Sequence, residues 1–173
     1  MNALKLPTFV VYFSANTLSL LGTWVQKVGL GWLAWQITES TFWTSVVSLL
    51  LMAPVGFLGP FIAVYAESWD ARRAMVITKI MMASISMLIF IIQFLGLHSL
   101  FSLVACSSAL GLLSAFHHPV RLVLISLVVP RSYLASAVGM NSVSWNLSRV
   151  IGPGLAGLTI HMFGLSETFF IAL

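Results

Sequence analysis

The chain has 173 residues, of which 60% are hydrophobic and 7% charged, with eight Lys and Arg against four Asp and Glu. A soluble domain carries about 25% charged residues, so this composition, with a mean hydropathy of +1.04, excludes an ordinary water-soluble fold and makes lipid the solvent for most side chains. A net charge of +4 offers no dense basic patch for nucleic acid, and a single cysteine, Cys106, excludes a disulfide framework or a CxxC site.

Five long apolar segments follow one another, at about 8–37, 42–66, 74–97, 99–116 and 135–163. Each is near or above the ~20 residues that cross ~30 Å of hydrocarbon as a helix. The first is far longer than a signal-peptide core and has no clean small-residue cleavage site after it, so it reads as a retained helix. A sixth segment starts near Thr168 and reaches only Leu173, so the chain is expected to be a fragment or to have this span completed by something else. The segments lack the alternation of a transmembrane strand, and an open sheet would leave backbone groups unsatisfied in lipid. The expected fold is all-α, a polytopic membrane helix bundle.

Basic residues set the expected orientation. Lys5 precedes the first span, Arg72 and Arg73 lie between the second and third, and Arg121 and Arg131 fall between the fourth and fifth. The opposite connections hold Glu39, His98 and Glu167 and no Lys or Arg. This asymmetry predicts a cytoplasmic N-terminus, with "ESWDARR" (67–73) and the 117–132 region on the same side. Within that region "RLVLISLVV" predicts a short interfacial helix. Lys79 falls near the cytoplasmic end of the third span, where its stem can snorkel.

Two basic residues, Lys27 and Arg149, sit inside spans, where a charge is expensive and marks a functional candidate. The four acids lie in loops or at membrane edges, so the partners of these cations are backbone carbonyls, water, lipid phosphate, an anionic substrate group or residues outside the chain. Asn16, Thr23 and Lys27 fall on one helical stripe with Gln26 beside it, which predicts a helix lining water. Asn141, Ser144 and Ser148 form a similar stripe in the fifth span, adjoined by Asn146 and Arg149; plain interhelical hydrogen bonding explains the serines equally well. "RVIGPGLAGL" places Gly152, Pro153, Gly154 and Gly157 mid-helix, predicting a kink and close approach of another helix at 152, 156 and 157. His117 and His118 are adjacent and about 100° apart on a helix, which disfavours a metal site. No nucleophile–base set or phosphate loop points to an enzyme, and no cofactor is expected.

Four stretches carry a resemblance: "LSLLGTWVQKVGLGWLAWQITES", "GPFIAVYAESWDARR", "AFHHPVRLVLISLVVPRSYLASAVGMNS" and "NLSRVIGPGLAG". They resemble the N-terminal half of a major facilitator superfamily transporter, in the bacterial branch that includes the enterobactin exporter and drug-efflux proteins. The second stretch resembles the loop motif Gly-x-x-x-Asp-Arg-x-Asp-Arg-Arg, and the fourth the span-five antiporter motif. The chain departs from these patterns at Ala63 for Gly, Glu67 for Asp, Ser68 for Arg, and Ser148 and Ala156 for Gly. Ser107 stands where a span-four motif has Arg.

The resemblance implies a six-helix half with five full spans and the start of a sixth, paired with a C-terminal half that rocks against it around a midplane site. It implies proton-coupled export of a small organic molecule from a bacterial inner membrane, with lipid, substrate, protons and the second half as partners. Asn16, Thr23, Gln26, Lys27, Asn141 and Arg149 become substrate-pathway candidates. Gly59, Glu67, Asp70, Arg72, Arg73 and Arg121 become a cytoplasmic gate in which the acids pair with the arginines. Gly152, Pro153 and Gly157 become the span-five packing motif. The competing expectations are a non-transport membrane subunit on the same scaffold and an inactive truncated product.

Overall fold

A computed structural model of the chain describes residues 3–66 and 68–172. Among them the chain forms six α-helices and two short 3-10 turns. The helices are α1 (Pro7–Thr38), α2 (Thr41–Ala66), α3 (Ala71–Phe94), α4 (Leu100–Val128), α5 (Leu134–Phe163) and α6 (Leu165–Ile171). The ends follow local chemistry. Pro7 opens α1, where a missing N–H costs nothing. The Asp70 carboxylate caps α3 by accepting from the backbone N–H of Arg72 at 3.1 Å and Arg73 at 3.2 Å. Ser99 and Ser102 form a reciprocal capping box at α4. Gly164, at φ 94°, makes the sharp break between α5 and α6 that a side chain would oppose.

The third span, expected at 74–97, lies three residues earlier at Ala71–Phe94, and the fourth departs further from the sequence expectation. The fourth span does not stop at residue 116; α4 continues to Val128, so His117, His118 and Arg121 are helical and no separate interfacial helix exists at 121–129. Pro119 sits inside this helix, a position that transmembrane helices tolerate. The true connection to α5 is Val129, Pro130 and the turn Arg131–Tyr133. The sixth helix begins at Leu165, three residues before the expected start.

Side-chain polarity is inverted relative to a soluble protein. Asn16, Gln26, Ser107, Arg121, Asn141, Ser144 and Ser148 are buried, whereas Phe57, Phe61, Val64 and Phe101 are exposed. This is the pattern of a multi-pass membrane bundle, whose outer surface meets lipid. Helices α1 to α4 are each long and apolar enough to span; α5 has the length but a more polar sequence.

The bundle is pinned at both ends. At one end Ala3, Phe9, Ile125, Val129 and Ala137 pack together, next to Ala66, Ala71, Val120 and Leu124. The segments bearing Lys5, Arg72, Arg73 and Arg131 therefore share one end. At the other, Leu33, Val47, Ile89, Leu103, Leu165 and Phe169 form a larger cluster. Between the ends, glycines set the spacing. A Cβ on Gly111 would strike the backbone carbonyl of Leu50, where α4 meets α2, the most extensive helix pair. A Cβ on Gly22 would lie 2.8 Å from the Ala172 carbonyl oxygen, and one on Gly29 3.0 Å from the Phe169 ring, so α6 lies directly on α1.

Candidate functional site: a cation-lined central cavity

Five helices converge on a cavity of about 240 Å³. Its polar wall comes from three short spacings. Trp24 and Lys27 are i, i+3 on α1; His117 and Arg121 are i, i+4 on α4; Trp145 and Arg149 are i, i+4 on α5. Each pair therefore shares one face of its helix. Lys79 of α3 and Met52 and Val55 of α2 complete the lining.

The aromatic rings hold the cations. Lys27 Nζ lies 4.8 Å from the Trp24 ring centre, and the Arg121 guanidinium 4.9 Å from that of Trp145. The two indoles meet edge to face at 6.0 Å, and His118 approaches Trp145 at 5.3 Å. Gly152 fixes the depth of this assembly, because a Cβ there would collide with the Trp24 Cβ. Arg121 is only 2% exposed, and its Nε and Nη1 have no hydrogen-bond partner; Trp24 Nε1 is likewise buried and unpartnered.

The charge balance is one-sided. Lys27, Lys79, Arg121 and Arg149 line the cavity with two histidines, and no described carboxylate does. Two unit charges ~8 Å apart repel by ~2 kcal/mol at an effective dielectric of ~20. Four cations around so small a volume therefore destabilise one another, and cation–π contacts worth about 0.5–2 kcal/mol each offset only part of that.

A second recess of about 550 Å³ lies between α1, α3, α5 and α6 and shares Thr23, Lys79 and Met82 with the first. Gln26 lines it and donates to Ser86 Oγ at 2.7 Å. Lys79 donates to the Ser19 hydroxyl, so its ammonium turns into the bundle and does not snorkel outward.

A model of the family described as transmembrane secretion effector matches residues 1–173, the whole chain. The chain belongs to this family, within the major facilitator superfamily. It is 23% identical over 91% of its length to the staphyloferrin A transporter of Staphylococcus aureus, covering 40% of that protein. It is 26% identical over 91% of its length to the MFS-type transporter YfiS of Bacillus subtilis, covering 37%. To macrolide efflux protein A of Streptococcus pyogenes it is 21% identical over 91%, covering 39%. The chain thus spans about two-fifths of the length of these relatives. No solved structure matches it.

In this major facilitator chain the expected pathway residues separate. Thr23, Lys27 and Arg149 line the cavity. Asn16 and Asn141 do not; Asn16 Nδ2 donates to Asn141 Oδ1 at 3.3 Å in the buried α1–α5 seam, beside a 2.5 Å Thr17–Ser144 hydroxyl contact. The stripe from Asn16 to Lys27 is 11 residues, ~16 Å of helix, and the cavity covers only its later part.

The gate residues also divide. Asp70 pairs with Arg73 at 3.2 Å as well as capping α3. Both side chains are well exposed, and such a pair contributes little by itself. Arg72 is exposed too. Arg121 does not belong to this loop; it lies in α4 and faces the cavity. Gly59 has open space around its Cα, and Glu67 lies outside the described residues. In the span-five motif Gly152 and Ala156 are buried, but Pro153 and Gly157 face outward and Gly157 touches no neighbouring helix, so the packing face is 152 and 156 without 157. Ser107, at the position of the motif arginine, is fully buried and its hydroxyl is unpartnered.

The sequence reading missed Trp24, Trp145, Lys79 and the two histidines as cavity residues. The signal was present in the i, i+3 and i, i+4 pairing of aromatic or imidazole with cation. For His117 and Arg121 it becomes visible only once α4 is read as one helix through Pro119.

Proposed function

We propose that this chain is the N-terminal half of a secondary transporter that moves a small organic molecule across a bacterial inner membrane by alternating access. The observation carrying this reading is the central cavity, lined by charged and aromatic side chains from five helices of an otherwise apolar bundle. Irregular polarity at membrane depth belongs where it lines a binding site or water path. The volume, about 240 Å³, is below the roughly 300–1,000 Å³ of complete ligand pockets, which suits a site finished by a second half.

Five spanning helices, a cytoplasmic N-terminus, proton coupling and outward transport belong to the same proposal. With Arg121 inside α4, the orientation rests on Lys5, Arg72, Arg73 and Arg131 at one end of the bundle. The named relatives make staphyloferrin A and a macrolide the first cargoes to try. Everted vesicles containing the full reading frame, given labelled staphyloferrin A or erythromycin and an imposed proton gradient, are expected to accumulate at least one. Accumulation should collapse with a protonophore. Vesicles that accumulate neither above empty controls would contradict the proposal.

A further inference from the structure

We infer that the central cavity is a binding site for an organic anion carrying two or more negative groups on an apolar body. The inference rests on the transport reading above and names the class of its cargo. Lys27, Lys79, Arg121 and Arg149 all line the cavity, and the described carboxylates, Glu39, Asp70 and Glu167, do not. The decisive group is Arg121. It is 2% exposed, lies on the cavity wall, and leaves Nε and Nη1 without a partner. Trp24 Nε1 is a third buried donor with no acceptor. Buried donors of this kind are normally satisfied, and a guanidinium presents its N–H groups as a fork matching carboxylate or phosphate.

The fit extends past charge. Lys27 and Arg121 sit on the rings of Trp24 and Trp145, which touch each other. The cavity wall therefore carries two indoles set at 68° to each other, each with a cation over its ring. A neutral molecule would leave the cations repelling one another, and a cationic one would add to the repulsion. A polyanion relieves it. An anionic lipid headgroup shares this chemistry; we assign the site to a soluble molecule because the lining indoles suit an aromatic or cyclic body.

The protein in nanodiscs of zwitterionic lipid is titrated with three matched probes, read by tryptophan fluorescence and by calorimetry. The probes are benzene-1,3,5-tricarboxylate, its neutral tris(methylamide), and 1,3,5-tris(aminomethyl)benzene. The trianion should bind at least about tenfold more tightly than the other two, with affinity falling as salt is raised. Arg121→Gln should weaken it by about tenfold or more, and Arg121→Lys should recover part of the loss. Lys27→Gln, at a less buried position, gives an independent loss should Arg121→Gln not fold. Equal or better binding of the neutral or cationic probe overturns the inference, as does failure of all three to bind. Loss of trianion binding when phosphatidylglycerol is added to the discs assigns the site to a lipid headgroup and overturns the soluble ligand. Binding is read without flux, so loss of anion preference leaves the transport reading standing, and absent flux leaves the binding result standing.

Discussion

Gly111 offers the sharpest test of the packing. It lies in α4 against the backbone of α2, and a Cβ there would be 3.0 Å from the Leu50 carbonyl carbon, 3.2 Å from Pro54 Cγ and closer still to the Leu50 oxygen. Carbon atoms prefer separations of about 3.5–4.0 Å. The obstruction is main chain, so no side-chain rotation relieves it; α2 and α4 must move apart by several tenths of an ångström or more along their shared seam. Overpacking of this kind costs about 1–3 kcal/mol. Gly157 provides the matched control, with nothing within 4 Å of its Cβ position. There, Ala replaces the poorest non-Pro helix former and should stabilise by up to ~1 kcal/mol. Purified Gly111→Ala and Gly157→Ala variants are compared by reversible SDS unfolding in mixed micelles. The expected order is Gly157→Ala at or above wild type, with Gly111→Ala lower by about 1–3 kcal/mol. A Gly111→Ala variant as stable as wild type, or less damaging than Gly157→Ala, refutes the close α2–α4 approach.

Three further outcomes follow from named contacts. Gln26→Ala or Ser86→Ala removes a buried 2.7 Å hydrogen bond and should each cost about 1–3 kcal/mol, with the double variant less than additive; strict additivity in the same unfolding assay would show that the bond is not formed. Asp70→Ala should lose about 1 kcal/mol as an N-cap while Asp70→Asn keeps most of it; if Asn instead matches Ala, the carboxylate acts through its charge on Arg73. Lys27→Ala in the full-length protein should lower transport at least ~10-fold, the equivalent of ~1.4 kcal/mol, or shift its pH dependence; flux unchanged across pH would remove Lys27 from the pathway.

The helical architecture was legible because composition and segment length decide it in lipid. The predicted first, second and fifth segments match α1, α2 and α5 to within a residue. The error at α4 has a physical cause. Pro119 and Arg121 mark a loop when the alternative is exposure to hydrocarbon, and here a polar cavity is the alternative. That same misreading assigned Arg121 to the cytoplasmic gate. The cavity itself was not legible, since its cations come from α1, α3, α4 and α5, far apart in the chain. Lys27 and Arg149 were flagged singly, as intramembrane charges, without any means of seeing that they share one wall. Asn16 and Asn141 show the converse: periodicity identified a polar face, but only packing shows that the two amides answer each other across a helix seam.

The most direct test of the central claim is solvent access to the cavity wall. Ser114 lines the cavity on α4, and in a Cys106→Ser background a Ser114→Cys variant of the full reading frame carries a reporter thiol there. A membrane-impermeant thiol reagent is applied from each side in turn. Alternating access around this cavity predicts labelling from both sides, in proportions that change reciprocally when the gradient is reversed. Labelling from one side alone under every condition, or from neither, would contradict the account.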